Sequence, residues 1–509
     1  MNSLHGINST TADVSGHQPN LNSPPGSPLF DTLNFHINNR VNATSSNPEG
    51  IILKVDEEQG ENGNKTENKR IDAGWTYFGQ FLSHDLTTGR EFGISKPRLH
   101  LDCIYGFGPK SSAYLYEMDW NPIDKYAFRG VRFLLDPYIN PNGDKVNDVF
   151  RTGPHSNLPI MADVRNDENF LISQLHCAFL RFHNRMAEFF SSQIHDQDKL
   201  FNRTRQYVTR TYQWLIVNKY LQLLTGNLAG DLVKSKQPYK ILDHNNRFNQ
   251  EPVLMPEFIV AALRMGHSQI RSFYKINQNG RVNLFSKDRE KPDLKGFKRD
   301  LRRGPVDWRF LFNFGDHLKP DVVKSRPIDL MLTSPLFDLP FFNLHDGQRN
   351  LSQTNINRSV EHNMILREED LKVIIDKMGI NTFEHFDVAL SLLYPEKPIW
   401  SEWQSCKESL LKLDGWPLWI FILLEARLLG TNQRRLGNVE QQLGPLGAQI
   451  VAEQIIWILK KDDSSYLNDD ISWNPLKSLG GKYLPLDKDN PEEFTIADLL
   501  YISENGIYD

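Results

Sequence analysis

The chain has 509 residues, 39% of them apolar and among them 30 Phe and 10 Trp, which is ample for a folded core and excludes global disorder. Its 58 basic and 63 acidic residues leave a net charge of −5 with both signs mixed along the sequence. No basic face therefore recommends nucleic acid or an anionic membrane, and the expected partner is a small molecule.

Residues 1–65 are rich in Ser, Asn, Gly, Pro and Thr and close on a charged run at 56–65, the composition of a poorly ordered or draped N-terminal arm. Residues 66–509 read as one large, mainly α domain with very little β. Its first element is an aromatic-rich helical stretch, Trp75-Thr-Tyr-Phe-Gly-Gln80-Phe-Leu-Ser83-His84-Asp85. The Pro/Gly-rich break at 137–143 reads as a surface loop. Asp163-Val-Arg165-Asn-Asp-Glu168 then leads into the clearest helix, where Leu171, Leu175, Phe179, Phe182, Met186 and Phe189 form one stripe at spacings of three and four. Phe258, Ala261, Ala262 and Met265 mark another, opened by Pro256 at a helix start. Leu446, Ile450, Ala452, Ile455, Ile458 and Leu459 mark a third. No internal repeat emerges.

Cys103, Cys177 and Cys406 are too few and too scattered for a disulfide framework or a zinc site. No run reaches the roughly 18 apolar residues of a spanning helix. The opening residues, Met1-Asn-Ser-Leu-His-Gly, lack a basic segment leading into an apolar one, so a cytoplasmic location is expected.

Three polar positions in apolar surroundings invite a chemical reading. His84 ends an aromatic helix, and the ordinary alternative is a hydrogen-bonded core histidine. Arg165 sits at the start of a helix, where a cation opposes the macrodipole unless a carboxylate or substrate offsets it. Asp163, Asn166 and Asp167 around it read as common capping residues. His267, in Arg264-Met-Gly-His267, follows a glycine that leaves room for a flat group to approach the imidazole. The residues alone imply a helical protein with a His/Arg pocket.

Taken in order, these segments resemble the peroxidase-cyclooxygenase superfamily over about residues 70–503. Gly79-Gln80-Phe-Leu-Ser-His84-Asp85 is similar to the distal-histidine motif. Residues 163–185 resemble the distal-arginine helix, Arg264-x-Gly-His267 the proximal-histidine motif, and Thr354-Asn355-Ile-Asn-Arg358 the segment that supports that histidine. The C-terminal stretches at 416–426, 443–453 and 494–500 are similar to the bacterial branch. The resemblance implies haem b held by His267 with Asn355 on its second ring nitrogen. It implies hydrogen peroxide as substrate, His84 as acid/base, Arg165 stabilising charge on the breaking O–O bond, Gln80 ordering water or a halide, and a small reductant as second substrate.

Departures from the pattern matter. Ser83 stands where the superfamily carries an ester-forming Asp, so Glu168 is left as the one residue able to esterify a haem methyl, and Asn169 excludes a methionine-sulfonium link. Asp85 and Asp102 match calcium ligands, but Lys96 and His100 stand where further oxygen ligands are expected, and Lys96 is expected to neutralise Asp85 or Asp102 instead. Arg264 occupies the position at which the fatty-acid dioxygenases of the superfamily carry a radical-forming Tyr. That favours a peroxidase over a dioxygenase, with a haem-binding protein that lost turnover as the remaining alternative.

Overall fold

The computed structural model describes Leu29, residues 52–55 and most of 67–507. Residues 89–95, 118–129, 140–144, 153–156, 237–238, 244–246, 299, 316–320, 341–348, 386–414 and 431–439 lie outside the described set, and Cys406 with them. An aromatic segment with almost no polar face needs cover on all sides, and the helix Ala73–Thr87 (α1) has it: only Gln80, Ser83 and Thr87 escape burial. These three positions recur at helical spacing, so α1 leaves one narrow stripe open.

The apolar stripe that begins at Leu171 forms the helix Phe170–Ser191 (α2), started by the Asn169 side chain accepting from the Leu171 N–H. Phe179 of α2 stacks on Phe81 of α1 with ring centroids 5.0 Å apart, and each such ring stabilises the fold by about 1.5–3 kcal/mol through burial. Gln197–Leu215 (α3) packs against α2 and continues into a single π turn, Ile216–Tyr220. That wide turn delivers the Tyr220 hydroxyl onto α1 at Gly79, where a Cβ would lie 2.2 Å from it. A side chain at 79 would force the two helices apart.

Beyond this pair come Leu351–Glu361 (α4), Leu418–Leu429 (α5), Pro445–Lys460 (α6) and Ile496–Asn505 (α7). A Thr495–Asp498 capping box starts α7, which lies along α2. Glu425 of α5, fully buried, accepts from the N–H groups of Leu446 and Gly447 and so fastens α5 to the positive end of α6. One hydrophobic cluster runs from Leu29 to Ile502 through all of these helices.

Strands are confined to five two-stranded sheets among the described residues, in keeping with a mainly α fold. Of the segment expected as a surface loop at 137–143, residues 137–139 belong instead to the strand Asp136–Ile139, paired with Lys145–Asp148, and 140–143 lie outside the described residues. Of the N-terminal arm, Leu53–Val55 pairs in parallel with Met331–Thr333 and the Leu29 N–H donates to Glu257, so its described pieces lie on the core.

The helix expected through 256–265 is broken. Pro256–Val260 is α-helical, Ala261 leaves the helical region at φ −125°, and Ala262–Gln269 continues as 3-10 turns. The side chain of Arg264 supplies the reason: its Nε donates to the Ile259 carbonyl, the acceptor an unbroken α-helix reserves for the Leu263 N–H. The tightened segment that carries His267 packs against α1 and α5.

Candidate active site

His84 lies in the last turn of α1, 7% exposed. Its Nδ1 meets the Oδ1 of Asn166 at 2.8 Å, while the Nδ2 of Asn166 meets His176 Nδ1 at 3.2 Å. An amide oxygen only accepts, so Nδ1 of His84 carries the proton and Nε2 keeps its lone pair. Burial first, then the nearby Arg165 charge, pushes the His84 pKa down to about 4, so the ring is neutral near pH 7. No side chain among the described residues hydrogen-bonds Nε2. His183 shows the contrast: Tyr105 holds its Nδ1 and the Val131 carbonyl its Nε2, both at 2.9 Å, which makes it a structural core residue.

Arg165 belongs to a 3-10 turn, Val164–Asp167, just ahead of α2. The offsetting group for its charge is Asp163, which accepts from Arg165 Nε at 2.9 Å and Nη2 at 2.5 Å. Nη1 donates to Thr87 at 2.8 Å and Nη2 to the His84 carbonyl at 3.1 Å, placing the guanidinium at the negative end of α1. The structure therefore places His84 and Arg165 together where the end of α1 meets this turn, with Gln80 and Ser83 on the open stripe alongside. Gln80 and Ser83 contribute partly exposed side chains beside His84.

The turn is held rigidly. Asp167 receives both terminal nitrogens of Arg151, at 2.7 and 2.8 Å, in a buried ion pair. The chain at 294–297 hydrogen-bonds the backbone of 167–170, close enough that a Cβ on Gly296 would fall 1.5 Å from the Asp167 carbonyl. Glu168 is thereby fixed next to Arg165. Burial raises its carboxyl to about 7, against the pull of Arg165.

His267, on the 3-10 segment packed against α1, pairs through Nδ1 with Asn355 of α4 at 2.8 Å. The Asn355 nitrogen lies nearest the ring and its buried Oδ1 has no partner. Reversing the amide, which changes no shape, lets Oδ1 accept from Nδ1–H, and the Nε2 lone pair is then the ring's outward donor. Burial, and then Arg264 and Arg358, lower the imidazole to about 3, so it is neutral and able to ligate. Arg264 itself is lowered to about 9, by burial and by Arg358.

The expected calcium residues go elsewhere. Asp85 accepts from the N–H groups of Leu101 and Cys103, and burial followed by the neighbouring Asp102 raises its carboxyl to about 7. Asp102 pairs with Arg205 at 3.1 Å. Lys96, expected to neutralise one of these acids, instead reaches Glu251 at 2.9 Å across the surface, because Asp85 is sealed beneath the backbone at 101–103. His100 bonds Asp462 and Ser464. Cys103 and Cys177 are buried and free, and no helix among the described residues is long and apolar enough to cross a membrane.

Asn166 and Asp163 are the site residues that the sequence reading passed over. Asn and Asp at a helix start are so commonly caps that residue type alone gives no signal, and Asp163 does cap its turn as well as bind Arg165.

A haem fits these residues on several counts. A neutral, partly open imidazole offers one nitrogen, and the Arg264 cation near it suits a carboxylate side chain of the ring. Residues 132–295 match the family model for animal haem peroxidase. The chain is 22% identical to chorion peroxidase of Drosophila melanogaster over 431 residues, covering 78% of this chain and 47% of that protein. It is 31% identical to peroxidase mlt-7 of Caenorhabditis elegans over 136 residues, 26% of this chain and 17% of that protein. The chain thus spans less than half the length of these curated relatives. Its fold is similar to that of peroxidase A from Dictyostelium discoideum, with TM-score 0.58 at 16% identity over 92% of this chain and 90% of that one. It is also similar to Oryza sativa fatty acid alpha-dioxygenase, with TM-score 0.53 at 12% identity over 85% of this chain and 74% of that one.

Proposed function

We propose that the chain, whose residues 132–295 match the family model for animal haem peroxidase, is a haem-dependent peroxidase, reducing hydrogen peroxide and oxidising a small second substrate. The observation that carries this reading is the His84–Asn166 bond, which leaves a neutral imidazole with its Nε2 lone pair unclaimed by any side chain among the described residues.

Haem, when bound, would be held by His267 with Asn355, Arg264 and Glu168 around it, and would supply the iron redox chemistry. The chain's own residues do the rest. His84 Nε2 takes the proton from peroxide and returns it to the departing oxygen, a relay that needs the ring neutral at the start. Arg165, oriented by Asp163, lays a fixed positive charge beside that oxygen. Gln80, one turn ahead of His84, orders water in the same space. Glu168, with its carboxyl raised to about 7, is the residue for a single ester link to the haem, Ser83 having no carboxyl to offer.

The test uses the full haem-loaded chain with hydrogen peroxide and guaiacol. Peroxide-dependent oxidation is expected, and acid-acetone extraction of the same sample is expected to leave haem on the protein through Glu168. Oxygen uptake with linoleate in the absence of peroxide would establish a dioxygenase instead, against Arg264 at the tyrosine position. Inertness towards both would leave a haem-binding protein without turnover.

Asn166→Ala tests the relay. Without its acceptor, Nδ1 no longer fixes the tautomer, and the rate with peroxide is expected to fall roughly 10–100-fold, as for other partners that orient a functional imidazole. Because the Asn166 bond raises the His84 pKa, the acid limb of the rate should also move to lower pH. Stopped-flow rates between pH 3 and 7 measure both.

A further inference from the structure

Away from His84 and His267, a cavity of about 880 Å³ opens between the middle of α2, the end of α7 and the chain at 305–314. Its charged lining is mostly self-neutralised. Arg309 pairs with Asp307 at 2.7 Å, Arg132 with Glu117 at 3.3 Å and Arg185 with Glu188 at 3.4 Å. Those arginine side chains are 40–53% exposed, on the rim.

Arg181 differs. Its side chain is 14% exposed and its closest carboxylate, Glu504, stands at 3.9 Å, outside hydrogen-bond reach. Its Nε is buried without a partner. Gln174, two helical turns earlier on the same face of α2, is 3% exposed and its amide nitrogen also lacks a partner. Burying two such donor groups unsatisfied is unfavourable. Both donate only to an acceptor, and the planar guanidinium matches a carboxylate. Leu135, Trp308, Phe314 and Tyr501 supply apolar and aromatic wall, and the volume lies within the roughly 300–1,000 Å³ of small-molecule sites.

We propose that this cavity is a second binding site, taking a small monocarboxylate with an aromatic or apolar body, its carboxylate on Arg181 and Gln174 and its body against Trp308. One cation, paired only loosely with Glu504, suits one negative charge, and the paired rim gives no field for a polyanion. The site stands whether or not the chain turns over peroxide.

Titration calorimetry of the full chain with 4-hydroxyphenylacetate, with its neutral amide, and with inorganic phosphate tests this. Saturable binding of the acid is expected, at least roughly tenfold tighter than the amide or phosphate. Arg181→Met and Gln174→Met should each weaken it by about that factor while leaving the Soret spectrum of the haem-loaded chain unchanged. Gln174→Met carries the test should Arg181→Met not fold. Equal affinity for acid and amide, no saturable binding of the acid at millimolar concentration, or acid binding that persists in the variants and shifts the Soret band would overturn the proposal.

Discussion

Replacing His84 by Ala is expected to leave haem binding intact and to slow the reaction with hydrogen peroxide by about two to four orders of magnitude, the usual contribution of a positioned acid/base. The imidazole makes one side-chain hydrogen bond, to Asn166, so the cost to folding is that of one buried amide oxygen left without a donor, about 1–3 kcal/mol. His267 and Asn355 lie on other elements and keep their geometry. The pH dependence gives a sharper readout than rate alone. The His84 pKa is pushed down to about 4, chiefly by burial and further by Arg165. The neutral, proton-accepting form therefore prevails above that value and is lost as pH falls through it. The native rate should be flat towards neutrality and drop below about pH 4, while His84→Ala should be slow throughout and show no such limb. Stopped-flow absorbance in the Soret region follows both. A variant as fast as the native protein would remove His84 from the mechanism.

The sequence carried the ends of this site better than its connections. His84 and His267 stood out because an imidazole in an aromatic or apolar helix is chemically conspicuous, and the structure places both with one ring nitrogen held by an amide and the other unclaimed by side chains. The long stripes from Leu171 and Leu446 gave their helices directly, since burial of one face needs only the right period. The break at Ala261 was illegible, because it depends on Arg264 folding back onto the Ile259 carbonyl, a bond with no periodic trace. Arg165 looked anomalous at a helix start, but nothing local said that Asp163 and the His84 carbonyl together answer its charge. Lys96 stands where the resemblance places a calcium ligand, which is why it is expected on Asp85 or Asp102. In three dimensions Asp85 turns inward to backbone N–H groups, Asp102 pairs with Arg205 nearer the surface, and the lysine turns out to Glu251.

The second large effect belongs to His267. His267→Ala is expected to abolish stable haem binding, whereas Asn355→Ala should retain haem with affinity lowered roughly 10–100-fold. The distinction follows from what each group does. His267 offers the only ring nitrogen in this segment, and its neutral state is secured by burial and by the adjacent cations Arg264 and Arg358, which hold its pKa near 3. Asn355 acts through that ring, fixing which nitrogen carries the proton. Its own Oδ1 has no other partner, so accepting from Nδ1–H satisfies both groups at once. Asn355→Asp goes further, because a carboxylate accepts more strongly and gives the imidazole more anionic character, and the neighbouring arginines would keep that carboxylate ionised. The reduction potential of the haem in Asn355→Asp should therefore be lower than in the native protein, and in Asn355→Ala higher. Haem titration followed by spectroelectrochemistry separates the three variants. A potential that is the same in native, Asn355→Ala and Asn355→Asp proteins would show that α4 packs beside His267 without tuning it, and retention of haem by His267→Ala would move the iron ligand elsewhere.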